Sequence, residues 1–269
     1  MVRVTEVSKV TTDGAPSWRL LWSEPGRAAV ELATLLVAGP FLRRAARGDG
    51  HTVLVLPGFL ADDRSTSVLR RYIEFLGYHA YGWELGRNIG PASRILQGME
   101  AQLERLVDRS GGKVSVVGWS LGGMFARSLG RESPELVRQV ITLGSPYRGD
   151  RPIASHASGP FDRLRRFHVA DEELPRAELD RLPLEVPLTA IYSRGDGIVT
   201  WQSCLHEPGH ERENIEVVGS HCGLGHNPAA MWVVADRLAL PQGEWQPFRA
   251  PSILRRLYPL VVSSENLSV

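Results

Sequence analysis

Short apolar runs alternate with longer amphipathic stretches along this chain. Apolar, largely β-branched runs have the length and composition of buried strands; they lie at 52–56, 78–81, 113–117, 137–143, 188–192 and 215–218. Between them, apolar positions recur at helical spacing in 65–76, 91–109 and about 228–240. This alternation predicts an α/β fold whose mostly parallel central sheet is flanked by helices.

The pattern is less regular near both ends and in one internal stretch. Residues 17–47 predict a strand-like piece and then a helix, and the apolar part 28–42 favours an amphipathic surface helix, with interfacial membrane contact as the alternative. The tail at 254–262 fits a short helix or an edge strand. Residues 147–183 are rich in Arg, Pro, Asp and His and lack strand runs, which predicts an insertion covering the end of the sheet.

Composition narrows the class of protein. The chain has 269 residues, enough for one large domain, and a formal net charge of +1 gives no electrostatic footprint for nucleic acid. The stretch 28–42 contains Glu31 and Pro40 and is too short to span a bilayer, and residues 1–10 lack the apolar core of a secretory signal. We therefore expect a single-domain cytoplasmic protein with no membrane span and no nucleic-acid partner.

The run at 113–117 leads directly into Gly118-Trp119-Ser120-Leu121-Gly122, and an apolar helical pattern follows. This order of strand, sharp turn and helix presents a serine as a nucleophile at the edge of a sheet. A serine hydroxyl is a weak nucleophile near neutral pH, so it needs a base and a group that orients the base. Ser120 is therefore the candidate nucleophile.

The two partners follow Ser120 in the required order of acid and then histidine. Asp196 lies between Gly195 and Gly197, just after the strand predicted at 188–192, and is the candidate acid. His221 follows the strand predicted at 215–218 and is the candidate base. His226 is a rival in the same loop, and we favour His221 because it is nearer the strand end.

Acyl hydrolysis also needs two donors aimed at the developing oxyanion. The backbone N–H of Leu121, directly after the nucleophile, is the first candidate. The second is the N–H of Phe59, in the loop after the strand at 52–56, where Gly58 allows the backbone to approach closely.

Taken together, these motifs resemble serine esterases and lipases of the α/β-hydrolase superfamily, in particular bacterial lipases and the inositol-deacylase-like branch. The resemblance extends from residue 53 to about 240; its motifs are Pro57-Gly58-Phe59, the Ser120 elbow, Leu143-Gly144-Ser145-Pro146, Gly195-Asp196-Gly197 and His221-Cys222-Gly223-Leu224. Pro57 stands where many such lipases have His, but the proposed donor is a backbone N–H, so the oxyanion hole is retained.

The resemblance implies a hydrolase that cleaves small-molecule or lipid carboxylic esters through an acyl-enzyme, without a metal or an organic cofactor. It implies that 147–183 forms a cap, and that Leu60, Trp119, Tyr147 and Trp201 bind substrate beside the oxyanion-hole residues. Two alternatives stay open: an acyltransferase that uses the same acyl-enzyme, and a catalytically silent binding module on this fold.

Two further motifs compete with this interpretation. His206-Glu207-Pro208-Gly209-His210 matches a zinc-protease pattern, but Pro208-Gly209 breaks the helix that the pattern requires. A structural metal site remains an alternative because cysteines and histidines are close in sequence; they are Cys204, His206, His210, Cys222 and His226. Cys204 and Cys222 either form a disulfide that braces the acid and histidine loops or are two free thiols.

Overall fold

A computed structural model of the chain describes residues 14–146, 154–169, 184–207 and 209–263. Within them the strands are β1 (Thr52–Leu56), β2 (His79–Gly82), β3 (Val114–Trp119), β4 (Val137–Leu143), β5 (Leu188–Tyr192), β6 (Arg212–Glu216) and β7 (Val261–Ser263). The helices are α1 (Trp18–Leu42), α2 (Ser67–Phe75), α3 (Ser93–Ser110), α4 (Leu121–Glu132), α5 (Ser158–Arg163) and α6 (Pro228–Leu238). Short 3₁₀ turns cover Arg165–Phe167, Trp201–Cys204, Leu224–His226 and Ser252–Leu257.

The strands form one sheet in the order β2-β1-β3-β4-β5-β6-β7. Every neighbouring pair is parallel except β6 and β7, which are antiparallel. The predicted α/β architecture with a mostly parallel central sheet is therefore confirmed.

The sheet is buried because helices cover both of its faces. Successive side chains of a strand point to opposite faces, so Val53 and Val55 pack with α2 and α6, whereas Leu54 and Leu56 pack with α3 and α4. A strand that is buried on both faces needs a continuous apolar run, which is the pattern observed in β1.

Two predicted segments differ from the structure, and a third combines two predicted alternatives. Residues 18–42 form one continuous helix, α1, and the described residues before it, 14–17, contain no strand; the Ser17 side chain accepts the Leu20 N–H as its N-cap. Strand β6 lies at Arg212–Glu216 instead of 215–218. The tail contains both predicted alternatives, since a 3₁₀ turn at Ser252–Leu257 precedes the edge strand β7.

The described part of the predicted insertion, residues 154–169, contains α5 and a 3₁₀ turn. At its start, Ser155 forms a β-bridge with Val199 in the loop after β5. At its end, the Val169 N–H donates to the Pro91 carbonyl, 2.9 Å away. Residues 154–169 therefore run between the loop after β5 and the loop after β2, both at the edge where the parallel strands end.

Candidate active site

The candidate residues lie where the parallel strands end. Ser120 follows β3, Asp196 lies four residues after β5, and His221 lies five residues after β6. Because the carboxyl ends of parallel strands meet at one edge, loops distant in sequence converge there.

Ser120 is the single residue between β3 and α4, and its backbone has φ 53° and ψ −122°. A positive φ is uncommon for a residue with a Cβ and indicates local strain. This is the geometry of a sharp strand-to-helix turn that exposes the serine side chain.

Glycines make this turn possible. A Cβ added at Gly118 would clash with the Gly122 carbonyl, and a Cβ at Gly122 would clash with the Leu56 carbonyl. The first residues of α4 therefore pack directly against β3 and β1. Substitution of either glycine would push the helix away from the sheet and displace Ser120.

Asp196 and His221 form a close, buried pair. His221 Nδ1 lies 2.5 Å from Asp196 Oδ2. The second carboxylate oxygen of Asp196 accepts the N–H groups of Ile198 at 2.8 Å and Val199 at 2.7 Å. The carboxylate is thus oriented by its own loop, and it fixes which way the imidazole faces.

The pKa of His221 reflects two opposing causes. Burial lowers the pKa, but the negative charge of Asp196, its hydrogen bond to the ring and the charge of Glu24 together raise it above the usual 6.5. The surroundings of His221 therefore favour an imidazolium, which is the form that a general base adopts once it has taken a proton.

Ser120 adjoins this pair through the end of β4. Its N–H donates to the Leu143 carbonyl at 2.8 Å. A Cβ added at the next residue, Gly144, would lie 3.2 Å from both Asp196 Oδ2 and His221 Nδ1. Between the described residues no hydrogen bond joins Ser120 Oγ to His221, and such contacts often tighten only when substrate binds.

His226, the rival base, faces another element. Its Nε2 lies 3.0 Å from the carbonyl of Ala28 in α1, and its ring packs edge-on against Trp119. The structure therefore brings His221, and not His226, to Asp196.

Two backbone N–H groups lie beside Ser120. Leu121 is the first residue of α4, and the first N–H groups of a helix have no intrahelical acceptor. The Phe59 N–H has no backbone acceptor in the described part of the chain. A Cβ added at Gly58 would be 3.2 Å from Ser120 Cβ, so the loop that carries Phe59 touches the elbow.

Asn88 holds that loop in place. Its side-chain NH₂ donates to the Pro57 carbonyl at 2.8 Å, and its backbone carbonyl accepts the Leu60 N–H at 2.7 Å. Leu60 is kept at φ 60°. Asn88 therefore fixes the segment that contains Phe59.

Sequence reasoning missed Glu24, a buried carboxylate on α1. Glu24 Oε1 accepts the N–H of Gly197 at 2.8 Å and of His221 at 3.0 Å, while Oε2 accepts the N–H of Cys222 at 2.8 Å. One side chain therefore joins the loop of Asp196 to the loop of His221. The available signal was the helical spacing of three charged residues, Glu24, Arg27 and Glu31, on one side of a largely apolar helix.

Arg27 and Glu31 add to this connection. Arg27 pairs with Glu24 at 2.7 Å and donates to the Gly195 carbonyl at 2.6 Å. Glu31 accepts the Ser220 N–H at 2.7 Å and the side chain of Asn227 at 2.8 Å. The polar side of α1 thus holds the loops of Asp196 and His221 through hydrogen bonds to their backbones.

The four predicted substrate-binding residues have different surroundings. Leu60 is exposed next to Phe59, whereas the Trp119 indole is buried and donates to the His221 carbonyl at 3.1 Å. Trp201 stacks on Tyr192 with ring centroids 5.8 Å apart. Tyr147 lies outside the described residues.

The cysteines and histidines that could form a disulfide or a metal site lie in different surroundings. Cys204 is buried, Cys222 is exposed, and both are free thiols, which is the second of the two alternatives that the sequence left open. His206 is buried against Arg127, whereas the His210 side chain is 93% exposed. Across residues 14–146, 154–169, 184–207 and 209–263, no group of three or more His, Cys, Asp or Glu side chains is placed to hold a metal.

Comparison with known proteins identifies the fold. The structure is similar to that of a metagenome-derived lipolytic enzyme from a study of LipS and LipT, with a TM-score of 0.52, 16% identity and coverage of 72% of this chain and 93% of that one. It is similar to mature Bacillus licheniformis lipase BlEst2, with a TM-score of 0.53, 18% identity and coverage of 72% and 93%.

A third similar structure is Aspergillus fumigatus lipase B, with a TM-score of 0.52, 16% identity and coverage of 73% of this chain and 54% of that one. Neither a protein-family model nor a curated protein sequence matches this chain. At these identities the similarity shows the fold, which is the α/β-hydrolase fold.

Proposed function

We propose that this protein is a serine hydrolase that cleaves carboxylic esters through an acyl-enzyme, with Ser120, Asp196 and His221 as its catalytic triad. The observation that carries the proposal is the 2.5 Å contact between His221 Nδ1 and Asp196 Oδ2, beside a serine at φ 53°. A buried acid–base pair next to a strained serine is the arrangement that activates a hydroxyl nucleophile.

In this mechanism Ser120 Oγ attacks the ester carbonyl while His221 Nε2 takes the serine proton. The N–H groups of Phe59 and Leu121 bind the oxyanion, each contributing about 3 kcal/mol in comparable sites. The imidazolium, stabilised by Asp196, then gives its proton to the leaving alcohol. Water, deprotonated by His221, attacks the acyl-enzyme, and the acid is released as the proton returns to Ser120.

The substrate in this proposal is a small-molecule or lipid ester with an apolar acyl group. Phe59 and Leu60 form one wall beside the elbow, and the Phe161 ring of α5 lies 5.4 Å from that of Phe59. We propose that residues 147–183 form the cap, with Phe161 facing the acyl group, and that Tyr147, Trp119 and Trp201 complete the surroundings. The free thiols Cys204 and Cys222 suit the reducing cytoplasm.

Hydrolysis of p-nitrophenyl esters of increasing acyl length tests the proposal. We expect the wild-type protein to hydrolyse them, and Ser120→Ala and His221→Ala to lose at least about 10³-fold in kcat/KM. Ser203→Ala, which removes a hydroxyl that donates to the Thr200 carbonyl and adjoins Cys204 but contacts none of the triad residues, is the matched control and should retain the wild-type rate. Wild-type rates in Ser120→Ala would refute the nucleophile assignment.

A further inference from the structure

Helix α1 turns an apolar face toward solvent. Six exposed positions follow the helical repeat and lie on one side; they are Trp18, Trp22, Ala29, Ala33, Leu36 and Pro40. Trp22 is 78% exposed and Leu36 86%. At 1.5 Å per residue, this face is about 33 Å long.

The first part of α1 turns charged side chains inward, unlike an ordinary surface helix, whose apolar side faces the core. Its last turns pack Leu35, Ala38 and Leu42 on the core in the usual way. Glu24, Arg27 and Glu31 point inward and bind the loops of Asp196 and His221. These buried polar contacts fix the rotation of the helix, so the apolar face remains outward. Exposed apolar surface of this extent marks an interaction site.

The charges around the face indicate its partner. Arg19 in the first turn and Arg43 and Arg44 after the last turn are exposed, whereas the acidic residues of α1, Glu24 and Glu31, are directed into the protein. Cations at both ends complement anionic lipid headgroups, and tryptophans favour the boundary between headgroups and acyl chains.

A second copy of the chain fits this face less well. In a two-fold pairing with antiparallel helices, Arg19 of each copy would meet Arg43 and Arg44 of the other, and like charges oppose such an interface. Among the described residues, none of the helices combines the length and hydropathy that crossing a bilayer requires. A helix that lies in the membrane surface accounts for the exposed apolar face and the cations at both ends without crossing the bilayer.

We propose that the outward face of α1 docks on the surface of a bilayer that contains anionic lipids. Docking would place residues 154–169, whose Phe161 ring packs beside Phe59, near the lipid, because the Trp18 ring lies 4.5 Å from that of His156. The delivery of a lipid ester to Ser120 rests on the proposed function, whereas the binding itself does not.

Flotation of the full-length protein with vesicles tests the docking. The vesicles are pure phosphatidylcholine or phosphatidylcholine with about 30% phosphatidylglycerol. We expect stronger binding to the anionic vesicles, a loss of at least about 10-fold in Trp22→Ser/Leu36→Ser, and a loss of about 5-fold for each of Arg43→Ser and Arg44→Ser. Ile253→Ser, on the separate turn 252–257 and 83% exposed, should bind like wild type.

Hydrolysis of a water-soluble short-chain ester is measured on the same variants and should be unchanged, which separates this proposal from the proposed function. An inactive wild-type protein that still binds vesicles would support docking and refute the esterase. Wild-type protein that does not float with either vesicle, or a Trp22→Ser/Leu36→Ser variant that binds normally, would overturn the docking proposal. A dimer that this variant converts to monomers, without vesicle binding, would also overturn it.

Discussion

At the scale of single residues, the candidate site depends on how charge is distributed around His221. The ring is buried, which alone would lower its pKa, and the carboxylates of Asp196 and Glu24 more than offset that cost. Glu24 touches the backbone of the histidine loop and not its ring, so it acts as a positioning residue that also contributes negative charge.

This arrangement predicts the effect of Glu24→Gln on pH dependence. His221 is a base only when neutral, so kcat/KM for an ester should fall as the pH drops through its raised pKa. Removing the Glu24 charge lowers that pKa, and the acid limb of the profile should move to lower pH. The variant should also lose about 1–3 kcal/mol of stability, because an amide NH₂ would face a backbone N–H.

Glu31→Gln is the matched control for this experiment. Glu31 accepts the N–H of Ser220, the neighbour of His221, but its charge does not contribute to the shifted pKa of His221. We expect Glu31→Gln to lower the melting temperature while leaving the acid limb in place. An acid limb that is the same in wild type and Glu24→Gln would show that the role of Glu24 is purely structural.

The sequence predicted those residues of the site that combine a reactive side chain with a position shortly after a strand. Ser120, Asp196 and His221 each follow a strand and have a residue type with a defined chemical task, so their convergence could be predicted. Glu24 could not, because its role arises from a helix folding back against loops about 170 to 200 residues later.

At the scale of elements, the elbow depends on close packing between β3 and α4. Gly118 faces the backbone of Gly122 and Gly123 without room for a methyl group. The position of Ser120 is therefore set by contact between the backbones of β3 and α4. The structure requires glycine at both Gly118 and Gly122.

Gly118→Ala tests this packing. The added Cβ would clash with the Gly122 carbonyl, and because this contact is backbone it cannot be relieved by a change of rotamer. We expect a loss of at least about 2 kcal/mol in the free energy of unfolding, measured by urea denaturation, together with lower esterase activity.

Gly112→Ala is the matched control, since an added Cβ there meets no atom within 4 Å. It should leave both stability and activity near the wild-type values. Equal stability of Gly118→Ala and Gly112→Ala would contradict the packing account.

Secondary structure was predicted accurately where the apolar positions followed a single, uninterrupted pattern. Strands β1, β4 and β5 begin and end where the apolar runs predict. The start of helix α1 was mistaken for a strand-like piece, because there the helix buries charged side chains and exposes apolar ones, which obscures the usual helical pattern. The first residues of strand β6 include Arg212 and Glu213, whose charges interrupt the apolar pattern, so the strand was predicted to start three residues too late.

At the scale of the whole molecule, α1 connects three parts of the protein. It packs on α6 through Phe41 and Trp232, supports the loops of Asp196 and His221 through Glu24 and Glu31, and meets residues 154–169 through Trp18. The fold class was predictable from the alternation of strands and helices. This connecting role was not, because it depends on contacts between segments far apart in sequence.

The central claim is that Ser120 is an activated nucleophile, and reaction with a fluorophosphonate tests it most directly. Intact-mass and peptide analysis of the wild-type protein should find one adduct per chain, on Ser120, formed in parallel with the loss of ester hydrolysis. Ser120→Ala should form none. Full inactivation with the adduct on another residue, or continued ester hydrolysis by protein fully labelled at Ser120, would contradict the account.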